Sequence, residues 1–339
     1  MAISFPGIVV VCLLSSGIPL QAQQPIPGED QHLDLELKAI AAAHHGKLAV
    51  YAHNLKTGQT ASLYPDEPVQ TASTIKMGIL LDAAEQIRAG QASLHERLVL
   101  TKDNQVPGSG VIGQLDTPLT ITLRDVLHLM VVLSDNTATN MAIDRLGLAH
   151  INATLRAAGL KQTVLYKKVY KPATGPMPAD QPKFGLGKTT ARELASIMER
   201  LAECRLGLDG TGPTSTGHLP GDGKICAALL GSLRQQQDRD GLPRYIEALD
   251  TSEHGSAIAN KTGALDQVRN DVALIATKNG PVVIAAFTWQ NSDQRWTGDN
   301  EAQKTLGKVG QAVVQHWSPA GLDAGAYPWD DPLGGTAPN

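Results

Sequence analysis

Only three of the 339 residues are cysteine, and aromatic residues make up 4% of the chain: three Phe, four Trp and six Tyr. So few cysteines exclude a scaffold built on disulfides. A chain of this length with 42% hydrophobic residues can bury a substantial core without one. An excess of charge of one sign is also missing. Twenty-nine Lys and Arg against 33 Asp and Glu leave a net charge of −4, with a pI near 6.2, which gives no footprint for nucleic acid or for an anionic membrane surface. No run is apolar for the roughly 20 residues that a bilayer crossing needs, so no stable membrane anchor is expected. The ten histidines, adjacent His44-His45 included, form no His-Glu-x-x-His or Cys/His pattern, and neither a metal nor a cofactor is expected.

Residues 1–22 read as a cleaved export signal: the apolar run Ile8 to Leu14 is followed by Leu20-Gln21-Ala22 and then by polar sequence, although no Lys or Arg precedes the run. The expected destination is the periplasm or the medium. A retained anchor is the weaker reading, because the run is too short. Loss of the signal removes Cys12 and leaves Cys204 and Cys226 in an oxidising compartment, either as a disulfide or as two small hydrophobes.

Along the chain, helical spacing of apolar residues predicts a helix over about 33–45, then a hairpin whose turn is Lys56-Thr57-Gly58-Gln59. Further helices are predicted from Ser73 to about Ala89, over Leu123 to Met130, from Thr190 to Cys204, over about 225–235 and from Asp299 to His316. Between about Lys161 and Lys188 Pro and Gly interrupt every period, so this is a long loop of the kind that often carries function. A second Gly/Pro-rich insertion is predicted over 207–223. Three short apolar runs, around Ala257–Ala259, Asp271–Ala276 and Val282–Phe287, read as successive antiparallel strands.

Three polar motifs stand in an order that acyl transfer by a serine requires: Ser73-Thr74-Ile75-Lys76, Ser134-Asp135-Asn136 and Lys261-Thr262-Gly263. A serine hydroxyl needs a base within reach, and Lys76 lies one helical turn away. Burial and the second cation Lys261 would lower its pKa enough for that work. Ser134 supplies a hydroxyl to carry a proton to the leaving group, Asn136 an amide to hold substrate and Lys76, and Asp135 a brace for its loop. Lys261 and Thr262 would bind a substrate carboxylate, and Gly263 would let the acyl group lie along the strand, where the N–H groups of Ser73 and Ala264 would receive an oxyanion. Each motif alone has a plain structural explanation: a helix start with a solvated lysine for the first, a helix cap for the second. Lys56-Thr57-Gly58 repeats the third tripeptide and is a hairpin turn.

These motifs resemble those of the class A serine β-lactamases and penicillin-binding proteins. Pro107-Gly108-Ser109-Gly110-Val111, Leu119 to Asp125, Ser134 to Asn140 and Arg269-Asn270-Asp271-Val272 extend the resemblance over nearly the whole mature chain. It implies an α/β (α+β) fold: an antiparallel sheet of about five strands flanked by N- and C-terminal helices, with an all-helical domain inserted. The expected division is residues 30–72 with 236–318 for the α/β part, 73–235 for the helical part and a peripheral tail over 319–339. The implied activity is hydrolysis of a β-lactam through an acyl-Ser73; the alternatives are a D-alanyl peptidase or esterase acting on a D-Ala-type acyl substrate, or a penicillin-binding protein that deacylates slowly. A monomer is expected. Tyr170 and Arg269 join the expected site residues. One departure limits the resemblance. The family's Glu-x-x-Leu-Asn, whose Glu activates the deacylating water, has no counterpart here, because no Asp or Glu occurs from Arg145 through Ala179. Lys76, Tyr170 or Asp180 would have to compensate, while Glu193 reads as part of a solvated helix face and Lys167, Lys168 and Lys171 as a solvated basic loop.

Overall fold

A computed structural model describes Met1 and residues 28–208, 218–250 and 255–333. The expected export signal and most of the insertion at 207–223 lie outside the described residues. The chain opens with α1 (Gln31–Ala42), then the hairpin of β1 (Lys47–Asn54) and β2 (Thr60–Leu63). A two-residue strand, β3 (Val69–Gln70), hands over to a 3₁₀ turn at Ala72–Ile75 and α2 (Lys76–Arg88). Next come β4 (Arg97–Leu100), β5 (Leu119–Thr122), α3 (Leu123–Val132), α4 (Asn136–Leu146) and α5 (Leu148–Ala157). The long loop holds β6 (Val164–Leu165), α6 (Gln181–Phe184) and β7 (Gly187–Thr189). It is followed by α7 (Ala191–Ala202), α8 (Asp222–Arg234), β8 (Ile258–Leu265), β9 (Val268–Ile275), β10 (Val282–Trp289) and α9 (Glu301–Trp317).

Five strands form one antiparallel sheet in the order β2-β1-β10-β9-β8. All eight residues of β9 are buried, and seven of the eight in β10. A strand with no wet face must be covered on both sides. Helices α1 and α9 pack together on the sheet, and α7 lies against β1, β9 and β10. Helix α7 thus serves the sheet, although it falls within the stretch expected to form the helical part. That part is not wholly helical either: β4 pairs with β5, and β7 pairs with β6 on one side and with β3 on the other.

Helix α2 runs through the middle of the helical layer against α4, α5, α7 and α8, and ten of its thirteen residues are buried. This central position takes Lys76, its first residue, out of water. Cys204 and Cys226 are disulfide-bonded and tie the end of α7 to α8. The tail is not peripheral over its described length. Leu322, Ala324, Tyr327 and Trp329 are buried, Tyr327 donates a hydrogen bond to the carbonyl of Ala202, and Trp329 Nε1 donates to that of Ala324. Its Pro and Gly content suggested a loose end, whereas two of the chain's few aromatic residues anchor it.

Candidate active site

The three motifs line or underlie one cleft of about 850 Å³ between the edge strand β8 and the helical layer. Ser73 sits in the 3₁₀ turn just before α2, and its turn is held from the sheet side: Asn270 on β9 donates from Nδ2 to the carbonyls of Gln70 (2.8 Å) and Thr71 (3.2 Å). Gly263 stands opposite Asn270 in the β8–β9 register. A Cβ at Gly263 would lie 2.9 Å from the backbone nitrogens of both Ser73 and Thr74. Glycine at this position is what brings the strand and the serine turn together.

Ser134 occupies the bend between α3 and α4 with a left-handed backbone, φ 54°. Asp135 caps α4 by accepting from Ala138 N (2.9 Å), and its other oxygen accepts from Val111 N (2.6 Å) and Ile112 N (3.0 Å). The capping explanation of Ser-Asp-Asn falls to Asp135, which holds the bend, while Ser134 and Asn136 face the cleft. Lys76 Nζ donates to the Ser134 carbonyl (2.7 Å), to Ser134 Oγ (3.0 Å) and to Asn136 Oδ1 (3.4 Å). Lys261 Nζ donates to the same Ser134 Oγ (3.2 Å) and to the Thr262 carbonyl (2.8 Å). The Lys76 backbone N–H donates to the Ser73 carbonyl, whereas among the described residues its Nζ makes no hydrogen bond to Ser73.

Both lysines are completely buried. Burial, reinforced by the charge of Lys261 and opposed by Asp135, holds the Lys76 ammonium well below the ordinary lysine pKa. Burial also lowers Lys261, to about 8, against the opposing pull of Asp238 and Asp271. The result is an amine that gives up its proton readily beside one that keeps it more easily, bridged by a hydroxyl that can donate to the first and accept from the second. Strain gathers here too. Six described non-glycine residues have left-handed backbones, and three of them, Ala72, Ser134 and Tyr170, line this cleft.

A family model described as the β-lactamase enzyme family matches residues 32–317. The chain belongs to that family. By membership it is a serine β-lactamase-type hydrolase. β-Lactamase AER-1 of Aeromonas hydrophila is 27% identical over 164 residues, a match that covers 48% of this chain and 53% of that protein. The crystal structure of a β-lactamase from Sphaerobacter thermophilus superposes with a TM-score of 0.68 at 27% identity, covering 88% of this chain and 99% of that one. A Leu-to-Glu mutant of the protein PBP-A, solved as its acyl-enzyme complex with penicillin G, superposes with a TM-score of 0.67 at 25% identity, covering 86% and 98%.

Thr262, Gly263 and Ala264 line the cleft beside Ser73. Arg269 does not enter it: the guanidinium is buried under the β8–β9 hairpin and donates to the carbonyls of Leu265, Val268 and Arg295. Tyr170 does line the cleft, 64% exposed. Asp180 is turned to Lys188 at 3.2 Å. Glu193 is not part of a solvated face; its carboxylate accepts from the N–H groups of Lys161 (2.8 Å), Gln162 (2.9 Å) and Thr163 (2.7 Å) and braces the start of the long loop. Ser109, Asp238 and Trp296 also line the site, and sequence reasoning missed all three. Only the first had a signal, the polar Pro107-Gly108-Ser109-Gly110 stretch; the others come from loops near in space but far in sequence.

Proposed function

We propose that this chain is an exported hydrolase that opens the amide of a β-lactam antibiotic through an acyl-Ser73 intermediate, and so removes the antibiotic. The neutral Lys76 amine takes the Ser73 proton as Oγ attacks the lactam carbonyl. The oxyanion forms between the N–H groups of Ser73 and Ala264. Ser134 then passes a proton to the lactam nitrogen as the C–N bond breaks, while Lys261 and Thr262 hold the substrate carboxylate and Asn136 its acyl side. Water attacks the ester to release the acid and restore Ser73. What carries this reading is the convergence of two fully buried lysine Nζ atoms on one hydroxyl, Ser134 Oγ, at 3.0 and 3.2 Å. The penicillin G adduct of the PBP-A mutant supports the acylation half.

A second reading has its own observation. No carboxylate lies between residues 145 and 179, and the next two, Asp180 and Glu193, are engaged by Lys188 and by loop amides. Release of the acyl group would then be slow, as in a penicillin-binding protein, or the working substrate would be a D-alanyl ester or peptide. Intact-mass kinetics with benzylpenicillin test both. The expected result is a single adduct that disappears within minutes, with none formed by Ser73→Ala. A persistent adduct selects the second reading; no adduct in the wild type, or one that survives Ser73→Ala, rejects acylation at Ser73.

A further inference from the structure

Two large aromatic rings stay exposed in the cleft, Tyr170 and Trp296, and Trp296 is the more firmly mounted. The Arg269 guanidinium lies 4.6 Å from the Trp296 ring centroid, a cation–π contact, and Trp296 Nε1 donates to Asp266 Oδ1 at 3.2 Å. Arg269 is itself fixed, being buried and bonded to three carbonyls, one of them that of Arg295, the residue before Trp296. The same carbonyl accepts from Asn300 Nδ2 at 2.9 Å. The indole is thus clamped at its edge and over its ring while 65% of its surface stays open. Folding alone leaves such an arrangement unexplained, since water keeps most of the apolar area. A rigid, exposed aromatic side chain is instead what a binding site needs, because it loses little freedom when a ligand lands on it.

Its tie to Asp266, just past the end of β8, says which half of a substrate the indole meets. Lys261 and Thr262 would take the carboxylate of the leaving half, and the Ala264 N–H would take the carbonyl oxygen. Leu265, 42% exposed, and the hairpin residue Asp266 that holds the indole come after that point. The part of the ligand that continues past the carbonyl is the acyl half.

We propose that Trp296 is a specificity-determining residue for the acyl half of the substrate, stacking a flat aromatic ring carried there, with Arg269 as the positioning residue beneath it. This rests on the acyl-Ser73 reading. Arg269, expected at the substrate itself, acts through the indole instead.

The test compares ligands that differ only in the acyl half: benzylpenicillin against 6-aminopenicillanic acid, and phenylacetyl against acetyl esters of D-lactate. In Trp296→Ala the kcat/KM ratio of the aromatic to the plain member is expected to fall about three- to tenfold, the scale of an aromatic pair. Trp296→Phe, which keeps a ring, should hold the ratio within about twofold of wild type. Unchanged ratios in Trp296→Ala, or equal losses in the Phe and Ala variants, overturn the proposal. If the wild type is acylated only by the esters and their ratio still responds, the β-lactam reading fails and the role of Trp296 stands. If neither pair acylates the wild type, both fall together.

Discussion

Lys261 shares its buried surroundings with Asp271, a carboxylate pushed up to about 7 by burial and held by hydrogen bonds from Asn260 Nδ2 (3.1 Å) and Leu242 N (2.9 Å). Burial lowers Lys261 to about 8, and the negative charge of Asp271 resists that fall. Above that pH Lys261 loses the proton that its proposed role requires, so kcat/KM for a β-lactam should decline through about pH 8. Asp271→Asn removes an anion that raises the lysine pKa, and the declining limb should move to lower pH, read from the pH profile of kcat/KM. An unmoved limb with a lower kcat at every pH would make Asp271 a packing residue only. The polar triplets that carry Ser73, Ser134 and Lys261 were legible in the sequence because the chemistry demands those residue types. The depth of the two lysines was not, because it depends on elements far away in the chain.

The long loop between α5 and α7 is shaped less by its own sequence than by two side chains that grip it. Glu193 gathers three amides at its start, and Asn140 on α4 clamps Val169, accepting from its N–H at 2.8 Å and donating to its carbonyl at 3.0 Å. Val169 lines the cleft, so an apolar residue stands on this loop where a carboxylate would help to activate water. Val169→Glu is expected to speed release of a benzylpenicillin adduct about tenfold or more, given that base catalysis contributes about a hundred- to ten-thousand-fold when well placed. Return of the intact mass to the free value measures it; an unchanged release rate with acylation intact would show that the loop cannot deliver a carboxylate to the ester. Long elements were readable from periodicity, as with α3, α9 and the three C-terminal strands. Strands β3, β6 and β7 have two or three residues each, too few for an alternation to show, and exist only because they pair with one another.

Across the whole molecule, the described tail closes over the end of the helical layer. Trp329 packs against Tyr327 with ring centroids 4.6 Å apart, and the guanidinium of Arg234 at the end of α8 lies 4.4 Å from its ring. Trp329→Ala should cost about 3–5 kcal/mol, the range for loss of a buried Trp, measured as a lower urea midpoint at constant slope. A cost below about 0.5 kcal/mol would return the tail to the peripheral role that its composition suggested.

By itself the sequence determined the class of chemistry and the family: a serine, two lysines, a second hydroxyl and a strand glycine in one order have no packing rationale that would place them so. It also determined that the first two motifs stand where helices begin and that a late strand carries the third. Tertiary structure alone decided that Lys76 and Lys261 meet at one hydroxyl, that Arg269 turns away to support Trp296, and that Glu193 holds a loop instead of lying on a solvated helix face. The reason is physical. Residue type and local spacing set what a side chain can do, whereas burial, charge neighbours and the direction of a side chain are set by contacts between segments tens to hundreds of residues apart.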